Sequence, residues 1–503
     1  MEPVAGHPRR GQLKTGDPLT EPKTIAATPA ASEDDARTVV VSMYQAQKKI
    51  YARAVSGWFA RWRWALVWAT QIIFYGLPWL QWAGRPAVLF DLPSRRFYVF
   101  NLVLYPQDFI YLTGLLIISA YALFLFTTVA GRLWCGYACP QTVYTEIFMW
   151  VERHIEGDRP RRQKLDAAPW SLNKLWRKTA KQAAWIAIGL WTGFTFVGYF
   201  TPIRSLGGAV LAFGLGPWEL FWILFYGLAT YGNAGWLREQ VCKYMCPYAR
   251  FQSVMFDRDT LIISYDAERG DPRGTRGRKT DLKAANLGHC IDCGLCVEVC
   301  PTGIDIRNGL QYECIGCAAC IDVCNGVMDK MQYPRGLIRY DTLEGMDKHL
   351  GRAQEIKRIF RPRVIGYGLV LLLICGALLV SLLMRSPFRV DVVRDRGVLS
   401  RVVDDGWVEN VYRLQLMNAS ESEQRYRITA RGLPGLATDL KTDIEIGSAQ
   451  ARWVPLALRV PPEAAASVGP GSHGVEFVVE RIAASADEAS RTQVEKSTFM
   501  VPR

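Results

Sequence analysis

Eight cysteines lie in two runs of four in the second half of the chain. Both runs have the spacing Cys-x2-Cys-x2-Cys-x3-Cys, and a proline follows the first run. Their members are Cys290, Cys293, Cys296 and Cys300, then Cys314, Cys317, Cys320 and Cys324. This spacing is typical of bacterial proteins that hold two [4Fe-4S] clusters. Zinc sites favour two separated pairs, so two runs of four argue against zinc and against a disulfide framework.

In such two-cluster proteins the fourth cysteine of each run crosses over to the other cluster. The spacing therefore predicts that one cluster is held by Cys290, Cys293, Cys296 and Cys324. The other cluster is then held by Cys314, Cys317, Cys320 and Cys300. Asn325 stands where a proline follows the first run, and we expect it to alter the local turn or the solvent access without removing a ligand.

A second set of four cysteines lies in a repeated motif, Cys-x-Tyr-x-Cys-Pro. Its members are Cys135 and Cys139 in the first copy, and Cys242 and Cys246 in the second. Cysteines four residues apart share one face of a helix, but the following proline favours a break between helices instead. Four converging thiols suit a soft metal such as Cu(I), a further iron–sulfur centre or a reversible dithiol relay, with Met245 as an accessory soft ligand. The alternative is four buried, inert cysteines.

Apolar residues concentrate in runs of about 20, the length that crosses a bilayer. The chain of 503 residues is 50% hydrophobic and only 21% charged. Five transmembrane helices are predicted, over residues 64–83, 109–130, 182–200, 209–231 and 364–384. Tryptophan and tyrosine at several of the ends are typical of membrane interfaces. Cys375, in the fifth run, is expected to serve packing alone.

Positive charge in the loops predicts the orientation, because Lys and Arg are retained in the cytoplasm. Residues 132–181 contain ten Lys or Arg, whereas the loops on the opposite side contain few. We therefore expect the amino terminus and residues 232–363 in the cytoplasm and the carboxyl-terminal segment outside. The first apolar run is long enough to remain as an anchor, so no cleaved signal peptide is predicted. The net charge of +13 needs no nucleic acid to explain it.

These features divide the chain into five parts. Residues 1–38 form a disordered tail, 39–250 a four-helix transmembrane region with both Cys-x3-Cys-Pro motifs, 251–362 a cytoplasmic ferredoxin-like domain, 363–386 the fifth transmembrane helix, and 387–503 an external Ig-like β-sandwich. Residues 39–63 suit an amphipathic helix on the inner leaflet or an extension of the first span. The basic residues 268–284 are interpreted as a solvated linker.

The sandwich is predicted from period-two alternation. Tyr412, Leu414 and Leu416 alternate with polar residues, and similar alternation recurs to residue 479, which is typical of half-buried antiparallel strands. His473 is the one histidine in this segment, so we interpret it as an interaction module.

Absent motifs exclude other redox chemistry. The five histidines lie outside the predicted spans, which argues against a bis-histidine haem in the membrane. The chain has no Cys-x-x-Cys-His for covalent haem, no Gly-x-Gly-x-x-Gly fingerprint and no P-loop.

Together these motifs resemble the family of membrane polyferredoxins called CcoG, FixG or RdxA, the cytochrome c oxidase accessory proteins. The resemblance extends from about residue 40 onward. It rests on residues 134–141, 152–159, 242–252 and 265–270, on the eight-cysteine module and on the sandwich. It implies support of cbb-type oxidase assembly through reduction of Cu(II) to Cu(I). It also implies that Cys135, Cys139, Cys242 and Cys246 are the family's membrane-proximal thiols, which we interpret as catalytic.

The resulting hypothesis is an oxidoreductase of the bacterial inner membrane that transfers electrons to copper. Its expected partners are the membrane, oxidase subunits or copper chaperones, an unidentified electron donor and a second copy of the chain. The alternatives are quinol-linked electron transfer to another reductase and a non-catalytic assembly scaffold.

Overall fold

The computed structural model describes residues 49–395, 397, 399–439, 443–482 and 491–502. The prediction of a disordered tail over residues 1–38 lies outside this range. The α-helices, in chain order, are α1 (Trp58–Gly76), α2 (Phe109–Ala130), α3 (Leu133–Tyr137), α4 (Pro140–Glu156), α5 (Arg159–Ala167), α6 (Leu172–Val197), α7 (Ile203–Leu211), α8 (Pro217–Thr230), α9 (Pro247–Met255), α10 (Ala267–Gly270), α11 (Leu295–Glu298), α12 (Ala319–Met331), α13 (Leu343–Lys348), α14 (Arg352–Ile359), α15 (Pro362–Leu383) and α16 (Pro462–Val468). Two π-helical segments, Tyr231–Leu237 and Val241–Met245, follow α8.

The strands form small hairpins and one sandwich. In chain order they are β1 (Gln81–Trp82), β2 (Arg85–Pro86), β3 (Val88–Asp91), β4 (Arg96–Val99), β5 (Leu102–Leu104), β6 (Ile262–Tyr265), β7 (Ile338–Asp341), β8 (Phe388–Arg394), β9 (Arg401–Val402), β10 (Val408–Asn418), β11 (Gln424–Arg431), β12 (Ala437–Thr438), β13 (Ile444–Ile446), β14 (Ala451–Val460), β15 (Gly471–Ile482) and β16 (Arg491–Val501). All their pairings are antiparallel.

Helices α2 and α15 form a long apolar pair. Together with the preceding turn, α2 spans Pro106–Ala130 with a mean hydropathy of 2.2, and α15 has a mean hydropathy of 2.5. Both are long and apolar enough to cross a membrane, and almost none of their surface is buried inside the protein. They run antiparallel, because Tyr111 donates to the carbonyl of Ser381 at one end, and Arg361 donates to the carbonyl of Thr128 at the other. Each has 22 residues, a length of about 33 Å that matches the hydrocarbon core of a bilayer.

The three other predicted spans have bounds that differ from those in the structure. The first helix occupies Trp58–Gly76 instead of 64–83, because Gly76 and Pro78 lead into a short 3-10 turn. The prediction of one helix over 209–231 is wrong, because α7 ends at Leu211 and Pro217 starts α8. Helix α6 begins ten residues earlier than predicted and has a basic amino-terminal part. Of the two alternatives for residues 39–63, the described part favours an extension of the first span, because residues 58–63 belong to α1 and residues 49–57 are not helical.

The second apolar hairpin owes its close packing to glycine. Helices α6 and α8 lie against each other along their lengths. A Cβ atom at Gly193 would come within 2.2 Å of the Ile223 carbonyl oxygen, and one at Gly189 within 2.7 Å of the Gly227 carbonyl oxygen. Such small residues allow the backbones of membrane helices to approach closely. Helix α2, in contrast, packs on α15. The two copies of the Cys-x-Tyr-x-Cys-Pro motif therefore follow helices that pack against different partners.

The eight-cysteine module is a compact unit between α9 and α15. Strands β6 and β7 pair, and helix α12 packs against β7. Its buried core consists of Ile263, Ile306, Ile321, Met328, Leu337 and Ile338 together with cysteines. Asp322 on α12 accepts hydrogen bonds from the amide groups of Phe59 and Ala60, and it thereby joins the module to the first turn of α1.

The carboxyl-terminal domain is the predicted sandwich. One sheet has the order β12-β14-β10-β8, with β9 also paired to β10, and the other has the order β13-β11-β15-β16. Tyr412, Leu414 and Leu416 are buried, as the alternation predicts. Tyr412 of the first sheet and Phe477 of the second meet edge to face with ring centroids 5.0 Å apart.

The loop between α1 and α2 packs on this sandwich. Strands β3, β4 and β5 form a small sheet, and Leu89, Tyr98 and Val103 share a buried cluster with Met417 and Ala419. The Tyr105 hydroxyl donates to the carbonyl of Asn418 at 2.9 Å. The sandwich therefore lies at one end of the α2–α15 pair. The cysteine module lies at the other end, where Arg361 contacts Asp257 and Asp259.

Asp108 secures the sandwich end of this pair. Its carboxylate is fully buried and binds Arg385 at 2.5 Å and Arg389 at 2.9 Å. Asp108→Asn would leave two arginines facing a neutral group, so we expect the free energy of unfolding to fall by about 3 kcal/mol. Chemical denaturation of the detergent-solubilised protein, followed by tryptophan fluorescence, measures this. Asp395→Asn is the control, because that carboxylate is partly exposed and 4.0 Å from Arg413; equal losses in both variants would contradict the prediction.

Candidate functional site

The cysteines of the two runs surround two cavities. A cavity of about 380 Å³ is lined by Cys290, Cys293, Cys296 and Cys324, with apolar walls that include Leu295 and Leu337. A second, of about 340 Å³, is lined by Cys300, Cys314, Cys317 and Cys320, with walls that include Ile263, Ile304 and Ile306, and Cys296 also borders it. We call these sets the first ring and the second ring. Each ring contains the four cysteines that the crossover of the fourth cysteine predicts for one cluster.

The backbone wraps both rings by the same turns. The second residue after the first cysteine has a positive φ in each run, 51° at Asp292 and 68° at Gly316. The fourth residue does so as well, with 66° at Gly294 and 59° at Ala318. Left-handed residues at matched positions turn the chain sharply between successive cysteines. Each run therefore curves around a central space.

This geometry fits an iron–sulfur cube. All thirteen cysteines are free of disulfides. Each iron of a cube takes one cysteine, so four cysteines stand apart around a cavity. A zinc ion needs its ligands at about 2.3 Å from one centre. The rings therefore do not suit zinc.

Burial governs the electrostatics of the rings. It raises the pKa of Cys296 to about 11 and that of Cys324 to about 12, because a thiolate is poorly solvated there. Bound iron keeps coordinating thiols deprotonated. Arg307 near Cys296 and Arg132 near Cys314 supply positive charge that favours the thiolates.

The two rings differ in exposure. Cys293 of the first ring is exposed, whereas no member of the second ring is. The basic segment 268–284, predicted as a solvated linker, instead wraps the first ring. Arg276 donates to the carbonyl of Cys290 at 3.2 Å, and the Gly274 amide donates to the same oxygen. The first ring is therefore the more exposed of the two.

Asn325 has a structural role in place of the expected proline. It lies inside α12, which continues unbroken from Ala319 to Met331. A proline there would interrupt the helix. Its side-chain oxygen accepts the amide hydrogen of Gly336 at 3.0 Å, so it also anchors the chain that leads into β7.

The Cys-x3-Cys-Pro motifs stand at breaks between helices, as their prolines predict. Cys139 is the N-cap of α4 and Cys246 is the N-cap of α9, and in both cases the proline is the first helical residue. Cys135 lies in the short helix α3, and Cys242 lies in the π-helix Val241–Met245. The cysteines of each pair therefore lie on either side of a helix break and do not share one continuous helix face.

The four motif thiols are electrostatic neighbours. Burial is the main cause that raises the pKa of Cys135 to about 11 and that of Cys242 to about 12, and the other motif thiols raise both further. The amide group of Gln252, which is fully buried, contacts the Cys135 sulfur at 3.3 Å. Met245, the predicted accessory ligand, is 59% exposed. Cys375 lies in α15, outside this group.

The motif thiols meet the second ring directly. Cys317 belongs to a buried cluster with Val299, Ile315 and Ala319, and Cys135 and Cys242 pack against it. A Cβ atom at Gly136 would come within 2.8 Å of both Cα and N of Cys317. Arg132, which is buried, donates to the carbonyl of Cys314 at 3.2 Å and to that of Ala249 at 2.8 Å. Backbone contact thus joins the two cysteine systems.

A buried ion network behind the motifs was not predicted. Glu152 on α4 binds Arg162 and, at 2.9 Å, Arg238, which follows the first π-helix. Glu156 binds Lys178 and Lys181, each at 3.0 Å. Although burial opposes ionisation, these cations hold the pKa of Glu152 below its ordinary value. The two glutamates stand four residues apart, which is the signal that sequence reasoning could have used.

Comparisons with known proteins agree with these sites. The sequence model of the 4Fe-4S dicluster domain matches residues 237–343, that of a 4Fe-4S binding domain matches 112–157, and that of the Ig-like fold at the C-terminal of FixG matches 378–502. The nitrogen fixation protein FixG of Rhizobium meliloti is 38% identical over 83% of this chain and 86% of its own length. The proteins RdxA and RdxB of Cereibacter sphaeroides are 37% and 39% identical, over 79% and 80% of this chain and 86% of each relative.

The contact at Gly136 yields a test. Gly136→Ala places a methyl group against the backbone of Cys317, so α3 or the ring must shift, at a cost of about 1–3 kcal/mol. We expect the variant to release iron at a lower temperature than the parent does. Iron-bound absorbance followed on heating measures this. Gly326→Ala, in α12 with no atom within 4 Å of the added methyl group, is the control, and the same iron loss in both variants would refute the close contact.

Proposed function

Because this chain belongs to the FixG and RdxA family of membrane-associated iron–sulfur electron-transfer proteins, we propose that it delivers electrons to copper at Cys135, Cys139, Cys242 and Cys246. Cu(II) is the substrate, and Cu(I) is the product supplied to the assembly of a cbb-type oxidase. The observation that carries this proposal is the backbone contact of Gly136 with Cys317. It brings the motif thiols next to the second ring.

The residues of the chain have distinct tasks in this proposal. When bound, the two clusters supply single electrons, and one electron converts one Cu(II) into Cu(I). The cysteines of the motifs present soft sulfur ligands, which favour Cu(I) over harder ions. The buried Gln252 and Arg132 fix the sulfur of Cys135 and the loop of Cys314. Copper bound by the motif thiols would therefore lie next to the packed cluster of side chains that contains Cys317.

The proposed setting is the bacterial inner membrane with five crossings. Helices α2 and α15 supply two of them, and α1, α6 and the pair α7–α8 supply the rest. The basic residues between α2 and α6 favour a cytoplasmic position for the cysteine module, which puts the sandwich in the periplasm. The exposed Cys293 side of the first ring then faces a cytoplasmic electron donor, and the sandwich faces oxidase subunits or copper chaperones.

A second candidate for the motif thiols is a further iron–sulfur centre. The 4Fe-4S binding domain model matches residues 112–157, and the cysteines in that stretch are Cys135 and Cys139 alone. Iron analysis separates the candidates. Two clusters correspond to about eight irons per chain and three clusters to about twelve.

Replacement of one thiol in each motif tests the proposal. In Cys135→Ser/Cys242→Ser we expect the iron content to stay at about eight per chain, while reduction of Cu(II) by the dithionite-reduced protein slows by roughly 100-fold, because copper is no longer positioned. Anaerobic stopped-flow absorbance of the clusters, with a Cu(I)-specific chelator as the second readout, measures the rate.

Cys375→Ser is the matched control, since this thiol lies in α15 away from both rings, and it should keep the parental rate. An unchanged rate in the double variant would show that copper takes electrons elsewhere. A loss of about four irons in the double variant would favour the third iron–sulfur centre instead.

A further inference from the structure

A large polar cavity lies beside the second ring, outside the motif thiols. Its space, including the part that is open to solvent, amounts to about 590 Å³, and it is bounded by residues 52–55, by α1 and by the second half of α4. Val299, Pro301 and Ala319, which belong to the loops of the two runs, close its remaining side. A ligand in this cavity would touch α1, α4 and the cysteine module at once.

Arg63 lies in the wall of this cavity, at ion-pair distance from Glu146 but with no hydrogen bond among the described residues. Its side chain is 7% exposed, and its Nε has no partner. The nearest carboxylate oxygen, on Glu146, is 3.8 Å from its Nη2, too far for a hydrogen bond. A buried guanidinium with unused donors is costly, because water no longer satisfies them. Acceptor atoms of a bound ligand would satisfy the free N–H donors of Arg63.

A second arginine faces the same space. Arg153 of α4 lines the cavity, and in the described part of the chain its side chain forms no hydrogen bond or ion pair. Arg53 and Arg162 also line it but are paired with Glu298 and Glu152. Arg153 is therefore the arginine of the lining that has no carboxylate partner in the described part of the chain, and its guanidinium favours an anion.

Tryptophans place this cavity at the level of lipid headgroups. Trp64 and Trp150 line it and meet edge to face with ring centroids 6.5 Å apart. Trp150 and the neighbouring Trp62 and Trp68 on α1 are exposed. Exposed tryptophans gather at membrane–water interfaces, and α1 passes from here into its apolar part.

From these observations we infer that the cavity binds a phosphate group, supplied by an anionic lipid headgroup or by free phosphate. Phosphate oxygens match the forked donors of arginine, and the guanidinium groups of Arg63 and Arg153, neither of which has a hydrogen-bond partner in the described part of the chain, suit one such group. The bound group would hold α1 and α4 against Val299 and Pro301, and would thereby steady the second ring. This inference does not depend on copper as the substrate.

Binding of defined phosphate compounds to the purified, cluster-loaded full-length protein tests the inference. The probes are phosphatidylglycerol, phosphatidylcholine and inorganic phosphate, added to the detergent-solubilised protein, with native mass spectrometry and the thermal release of iron as readouts. We expect phosphatidylglycerol to stay bound and to raise the temperature of iron release. Raised stability with inorganic phosphate alone would assign the site to free phosphate, and raised stability with the lipid alone would assign it to a headgroup.

Charge-neutral variants locate the site. Arg63→Gln and Arg153→Gln should each weaken phosphatidylglycerol binding on the order of tenfold, the effect of one lost charge-assisted hydrogen bond. Arg61→Gln is the matched control on the same helix, because Arg61 is exposed and its guanidinium lies over the Trp58 ring. Arg153→Gln, at the partly exposed end of α4, keeps the test valid if Arg63→Gln fails to fold.

Three results would overturn the inference. The first is equal weakening by Arg61→Gln, which would indicate diffuse attraction of anions to a basic surface. The second is full phosphatidylglycerol binding in Arg153→Gln with normal iron content. The third is an equal effect of phosphatidylcholine and phosphatidylglycerol together with no effect of inorganic phosphate, which would mean that the phosphate charge is not recognised.

Discussion

The close approach of two backbones organises this protein. Helix α3 rests on the loop that carries Cys317, and Gly136 is the point where no side chain fits between them. Since both segments carry cysteines, their packing fixes the separation of the motif thiols from the second ring without a flexible linker. Buried Arg132 supports this contact, because it donates hydrogen bonds to the carbonyl groups of Cys314 and Ala249. Electron transfer depends on the separation of the centres, so this packing contact is the constraint on which the proposed chemistry rests.

A second constraint keeps the chemistry at one end of the membrane helices. Arginines clamp both ends of the α2–α15 pair: Arg385 binds Asp108 at the sandwich end, and Arg361 contacts Thr128 and Asp257 at the cysteine end. The aligned lengths of the two helices separate the sandwich from the cysteines by about 33 Å. At that distance the sandwich cannot take part in thiol or iron chemistry.

Local patterns predicted more of this structure than long-range contacts did. Cysteine spacing grouped the two rings, the prolines after Cys139 and Cys246 indicated helix breaks, and alternation around Tyr412 indicated strands. Each of these signals acts within a few residues. The break between α7 and α8 was missed, because hydropathy averages over Gly214, Gly216 and Pro217. The packing of β3–β5 on the sandwich and the pairing of Glu152 with Arg238 join residues far apart in sequence, and one sequence alone does not indicate which distant residue is the partner.

The two motif copies are equivalent in sequence but not in environment. Gly136 of the first copy corresponds to Lys243 of the second, a side chain that the contact with Cys317 could not accommodate. Tyr137 is 7% exposed, whereas its counterpart Tyr244 is 61% exposed, and Met245 is exposed where the first copy has Ala138. The first copy is therefore built to dock on the cysteine module, and the second is turned toward the surroundings. Under the proposed function, a thiol site assembled from one docked and one open copy would have the clusters on one side and access for an incoming ion on the other, which a pair of identical copies would not provide.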